Sequence, residues 1–167
     1  VFETKSGTLT VTREGSRLTM NFPAKTPVSC ATPEDITAGL GHIPEAVFAS
    51  DDYLVVFATE DEVRALSPDF AVLGRLAIRG VIATAPGRHA DFVSRFFAPG
   101  VGIDEDPVTG SAHCILIPYW SARLGKTHLH ALQVSKRGGE LFCGLAGDRV
   151  LIAGECAFYL RGEIVVP

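Results

Sequence analysis

The fifteen-residue stretch from Gly110 to Leu124 constrains the fold more than any other part of this chain. It is the longest helical candidate, and Gly125 stops it. Ala112, Cys114, Ile115, Leu116, Ile117, Tyr119, Trp120 and Leu124 leave almost no polar face on it. A helix that is apolar nearly all round is buried on most sides. The rest of the chain is therefore expected to wrap around it. Pro118 removes one backbone N–H from its interior and is expected to kink it.

What surrounds that helix reads mostly as strand. Gly7 to Arg13 and Arg17 to Phe22 alternate as a hairpin about the turn Glu14-Gly15-Ser16. A loop rich in Pro and Thr follows. Thr32-Pro33-Glu34-Asp35 then predicts a helix start with Thr32 as N-cap, ended by Gly39 or Gly41. Ala46 to Ala49 and Tyr53 to Ala58 form a second strand pair. Glu60 to Leu66 is a short helix, and Ser67-Pro68-Asp69 caps another that runs to about Leu76. Gly80 to Ala85 and Asp91 to Ala98 are β-rich. The tail predicts three or four strands with turns at Gly138-Gly139, Gly147-Asp148 and Arg161-Gly162. Strand and helix alternate too irregularly for a doubly wound parallel sheet, and no repeat of solenoid length is visible. The fold class is therefore α+β, with a curved, mostly antiparallel sheet around a central helix.

Composition narrows the function classes. At 167 residues the chain fits one domain with a real core. The net charge is -4 and the basic residues are scattered, which leaves no stripe to neutralise phosphates, so nucleic acid is not an expected partner. No apolar run approaches the ~20 residues that cross a bilayer, so no membrane partner is expected either. Cys30, Cys114, Cys143 and Cys156 show no paired spacing. Buried thiols in a reduced, cytoplasmic protein are the plain reading, and no metal site is expected. Residue 1 is Val and Phe2-Glu3-Thr4 already reads as strand, so the chain is expected to begin inside something larger.

Chemistry concentrates just before the apolar helix, in Gly102-Ile103-Asp104-Glu105-Asp106-Pro107-Val108-Thr109-Gly110-Ser111-Ala112-His113. Three acids precede a proline, and Thr-Gly-Ser opens the helix. Free N–H groups at a helix start attract an anion such as a carboxylate, and glycine lets it approach the backbone. An acid just upstream can act on the same ligand. Three readings compete on spacing alone. The first is a plain capped loop. The second is the D-x-D-x-[TV] phosphatase pattern of haloacid-dehalogenase type, at Asp104 to Val108. That pattern should follow a buried parallel strand, and Ala98-Pro99-Gly100-Val101-Gly102 makes a poor one. The third is an isomerase site.

The segment Glu105 to His113 closely resembles the E-D-P-x-T-G-S-A-H signature of the PhzF family, phenazine-biosynthesis-like isomerases that share the diaminopimelate epimerase fold. The resemblance extends along the chain. It takes in Phe2 to Leu9, Phe92 to Pro99, Tyr119-Trp120, Leu124-Gly125-Lys126, Gln133-Val134-Ser135 and Arg137 to Leu141. It implies a cofactor-independent isomerisation or epimerisation by proton movement at carbon, on a small carboxylate-bearing metabolite. Asp106 would be the cleft acid, where related epimerases use a cysteine. Gly110, Ser111 and Thr109 would bind the substrate, Gly110 and Ser111 through its carboxylate. Neither a metal nor an organic cofactor is implied.

The resemblance also implies what residues 1–167 do not carry. They are expected to be the carboxyl-terminal half of such an enzyme. The amino-terminal domain, with its catalytic glutamate and Gly-His-Ala-Thr motif, would be the partner across the cleft. The last strands would pack on that domain, and a homodimer is a further partner the family suggests. Alone, the chain is expected to be inactive. The alternative is a non-catalytic module that binds a metabolite or another chain. Glu45 does not match the glutamate's motif and reads as a loop residue. His113 and Cys114 read as structural core, and Arg95 as a partner for the acids at Asp104 to Asp106.

Overall fold

A computed structural model describes every residue except Lys5, Ser6, Phe158, Ile164, Val166 and Pro167. The opening strands are β1 (Phe2–Thr4), β2 (Gly7–Glu14), β3 (Arg17–Pro23) and β4 (Val28–Cys30). Helix α1 (Glu34–Leu40) leads to β5 (Ala46–Ala49) and β6 (Tyr53–Val56), then to α2 (Glu60–Ala65) and α3 (Phe70–Leu73). Strands β7 (Val81–Pro86), β8 (Phe92–Ala98) and β9 (Ile103–Asp106) precede α4 (Gly110–Leu124). Strands β10 (His128–Gln133), β11 (Gly139–Ala146) and β12 (Arg149–Glu155) follow it.

Among the described residues twelve strands join one open sheet in the order β1-β2-β3-β12-β11-β10-β8-β7-β6-β5-β4, with β9 added beside β8. The pairings are antiparallel except β6 with β7 and β8 with β10. The sheet is thus mixed but mostly antiparallel. Helix α4 reaches across most of it. Tyr119 meets Phe48 of β5 edge-on. The indole of Trp120 donates to Thr84 of β7 and stacks on Phe92 of β8. The same helix touches β10, β11 and β12. From β12 to β5 a flat sheet would spread these strands over roughly 30 Å at ~4.8 Å per strand. Helix α4, with 15 residues, is roughly 22 Å long at ~1.5 Å per residue, and its side chains extend its contacts from β12 to β5.

Period-two alternation then splits β6, β7 and β8 between two cores. Leu54, Val56, Ile82, Phe92 and Phe96 face α4, with Ile115, Leu116, Ile117 and Trp120. Val55, Val81, Ala83, Val93 and Phe97 face the other way and are covered by α1, α2 and α3 through Ile36, Leu40, Val63 and Leu73. These three strands are apolar on both faces because both faces are covered.

Several local expectations are corrected. Pro33, not Thr32, occupies the N-cap of α1, with no side-chain cap, and Gly41 ends the helix at φ 70°. Helix α3 stops at Leu73, short of Leu76. The Pro-Thr loop contains β4, and the acidic run contains β9, where no strand was expected. Among its described residues the tail gives three strands, and Arg161 and Gly162 lie in irregular chain. Helix α4 runs unbroken through Pro118 to the bounds expected from sequence, and Gly125 closes it at φ 65°.

Candidate active site

Strand β9 is charged along most of its length and exists because β8 and α2 hold it. Phe96 pairs with Asp106 and Ala98 with Ile103, with a shift of register between them. A shift of this kind locally disrupts the ladder. Neighbouring side chains on a strand point to opposite faces. Glu105 meets Arg95 of β8 through two contacts, Nε to Oε1 at 2.7 Å and Nη2 to Oε2 at 3.0 Å. Arg95 also donates to the carbonyls of Val63 and Leu66 at the end of α2, at 3.3 and 2.7 Å. The arginine pairs with the acidic run as expected, and Glu105 is the member it takes.

Asp106, half-buried, faces the start of α4. Its Oδ2 accepts the hydroxyl of Thr109 at 2.5 Å. Thr109 is the N-cap residue, yet its hydroxyl does not cap the helix. Two residues from beyond the helix brace the turn, and the sequence reading gave neither a site role. Gln133, at the end of β10, accepts the Thr109 N–H at 2.8 Å and donates to the Asp106 carbonyl at 2.7 Å. Ser135 donates to the Pro107 carbonyl at 2.8 Å and accepts the Gly138 N–H at 3.1 Å. Their bonds to the turn cross 24 and 28 residues of chain, so no local pattern points to them.

Past Thr109 the helix start is open. The first N–H groups of a helix have no acceptor within it, and no side chain caps this one. A Cβ added to Gly110 would meet nothing within 4 Å, so a ligand can reach its backbone. Ser111 is exposed beside it. Among the described residues no hydrogen bond joins Ser111 to Asp106. The two are close in sequence, and the positive end of the helix dipole lies at the Gly110 start of α4.

His113 is wholly buried one turn below, its Nδ1 2.7 Å from the Thr109 carbonyl. A carbonyl only accepts, so Nδ1 carries the proton. Burial pushes the imidazole down to about 4, against the opposing pull of that hydrogen bond. It is therefore neutral near pH 7. Its Nε2 has no hydrogen-bond partner among the described residues and is sealed from solvent. Cys114 is buried, its thiol set 3.5 Å from the Gly110 carbonyl and pushed up by desolvation. Both are placed as core residues. Glu45 sits in an exposed loop, 3.9 Å from Arg123. Among the described residues no cluster of three His, Cys, Asp or Glu can hold a metal. Among the described residues no helix is long and apolar enough to cross a membrane.

This turn and the sheet packed on α4 belong to a chain whose residues 1–162 match the sequence profile described as phenazine biosynthesis-like protein. The chain belongs to that family. Over 163 residues it is 52% identical to an uncharacterized isomerase of Pseudomonas aeruginosa, covering 98% of this chain and 63% of that protein. The crystal structure of a PhzF-family phenazine biosynthesis protein from Enterococcus faecalis is similar with a TM-score of 0.92 at 40% identity, over 99% of this chain and 64% of the other. A putative PhzC/PhzF protein from Clostridium difficile gives 0.88 at 41% identity, with the same coverage. The phenazine biosynthesis-like chain thus spans about 63% of its relatives' length. The expectation of a half is corrected by that span, and 98% of the chain has a counterpart in the relative.

Proposed function

We propose that this chain forms one wall of the active site of a cofactor-independent PhzF-like isomerase, with a diaminopimelate epimerase-like architecture. The enzyme moves a proton at a carbon of a small carboxylate-bearing metabolite. The observation that carries this reading is the pairing of a fixed acid with an open anion site. Asp106 is anchored by Thr109 immediately before an uncapped helix start at Gly110 and Ser111. The N–H groups of that start bind the substrate carboxylate, and the Asp106 carboxyl exchanges a proton with, or binds an amine on, the adjacent carbon. Isomerase-named relatives and close PhzF-family structures support the class.

Taking a proton from carbon needs a base within hydrogen-bond reach of it, and returning it to the opposite face needs a second group there. We assign it to the part of the complete protein that the chain does not span, with this chain as the carboxyl-terminal portion. That part would carry the facing glutamate and Gly-His-Ala-Thr motif. The test is Asp106→Asn in the complete protein. Loss of turnover with an unchanged melting temperature is expected, and near-normal turnover contradicts the assignment. If the complete wild-type protein binds small carboxylates without turning any over, the non-catalytic binding module takes its place.

A further inference from the structure

The hydrogen-bond directions around Asp106 are forced, and they single out one oxygen of its carboxylate. The Thr109 backbone N–H can only donate, so the Gln133 atom 2.8 Å from it is the amide oxygen. The Asp106 carbonyl can only accept, so the Gln133 atom 2.7 Å from it is the amide nitrogen. The two ends of the amide are thus fixed without any choice of flip. The second proton of that nitrogen points to the Thr109 hydroxyl oxygen at 3.1 Å. Having accepted there, the hydroxyl turns its own proton to Asp106 Oδ2 at 2.5 Å. The Thr109 carbonyl is meanwhile held by the buried His113 at 2.7 Å. Every polar group of Thr109 is engaged inside the protein, and the residue is 6% exposed.

From this we infer that Gln133 and Thr109 are positioning residues: together they lock the Asp106 side chain in one rotamer, with Oδ2 as a fixed acceptor and Oδ1 as the oxygen presented to substrate. The inference rests on the assignment of Asp106 as the working acid. It moves Thr109 from substrate binding to orientation of that acid. It also gives a role to Gln133, which is 1% exposed and cannot itself reach substrate. The register explains why a glutamine stands there: β10 runs parallel to β8 with Gln133 opposite Ser94, which brings its amide under the turn. Glutamate at this position keeps the length but has no donor while ionised, and leucine has neither donor nor acceptor.

The test is nuclear magnetic resonance on the complete protein without any ligand. Three-bond couplings from the Asp106 carboxyl carbon to its own backbone report the side-chain rotamer. Wild type is expected to show a single rotamer, a Thr109 hydroxyl proton protected from exchange, and a coupling across the hydrogen bond from Thr109 N–H to the Gln133 amide carbonyl. Thr109→Val and Gln133→Leu should each lose the single-rotamer couplings, and Thr109→Ser should restore them. Wild-type couplings retained in either Thr109→Val or Gln133→Leu overturn the inference. So does a wild-type protein that lacks both the protected hydroxyl and the cross-bond coupling, a result that does not depend on any variant folding. None of these readouts involves turnover, so they fail separately from the assignment of Asp106 to chemistry.

Discussion

Arg95 and Glu105 lie side by side on β8 and β9 in a two-point ion pair, with only 12% and 20% of their side chains exposed. The arginine also takes two carbonyls at the end of α2. One side chain therefore ties a helix, a central strand and the strand that delivers Asp106. Removing its partner leaves a largely buried charge uncompensated, a costly change in proteins. Glu105→Ala is expected to lower stability by about 2 kcal/mol or more in urea unfolding. A variant as stable as wild type would show that β9 does not depend on the pair.

Gly139 and Val108 make a second test of how the site is braced. A Cβ on Gly139 would overlap the Val108 methyl groups, and Val108 lies in the turn between Asp106 and Thr109. Gly139→Ala should therefore push the turn away from β11 and destabilise the protein. Val108→Ala opens the space, so the double variant should regain most of the loss. Two losses that simply add would mean the residues do not share that contact.

His113 gives a pH dependence whose sign can be worked out. Its folded value is about 4 against 6.5 for the free side chain, so the unfolded chain holds more protons between those values. Stability then rises with pH across that window. The contribution is complete above about pH 6.5 and is lost as pH falls towards 4; at about 1.4 kcal/mol per unit it amounts to about 3 kcal/mol. Between pH 7 and 4 wild type should lose about that much more stability than His113→Gln. Parallel stability curves would place a charged or exposed imidazole at residue 113.

The thiols separate by burial. Desolvation pushes Cys143 up to about 12 and raises Cys114. Only a thiolate attacks a labelling reagent quickly. With a neutral-pH thiol reagent the exposed Cys156 should react first, and Cys114 and Cys143 only on unfolding. Fast labelling of Cys143 in the folded protein would contradict the packing of β11 against α4.

Much of this was legible in the sequence, and the reasons differ by element. Helix α4 was read to the residue because Gly110 and Gly125 bracket an apolar run that can only be buried. The β2–β3 hairpin was read because Gly15 marks a tight turn between alternating residues; its φ is 62°. Strand β9 was not, since Asp104-Glu105-Asp106 has no strand pattern of its own and depends on pairing with β8 and on Arg95. The parallel pairings β6–β7 and β8–β10 join segments separated by helices and leave no local mark. Asp106, Thr109, Gly110 and Ser111 stand in one contiguous motif and so could be put forward as candidates, whereas Gln133 and Ser135 could not. They reach the motif only after β10 is laid beside β8.

Proton transfer at carbon that depends on Asp106 is the core of the proposed function, and isotope incorporation tests it most directly. The complete protein is incubated in deuterium oxide with a panel of small carboxylates, and each compound is followed by mass spectrometry. The account predicts a one-deuteron gain in at least one carboxylate with wild type and none in that compound with Asp106→Asn. Equal incorporation by wild type and Asp106→Asn would contradict it.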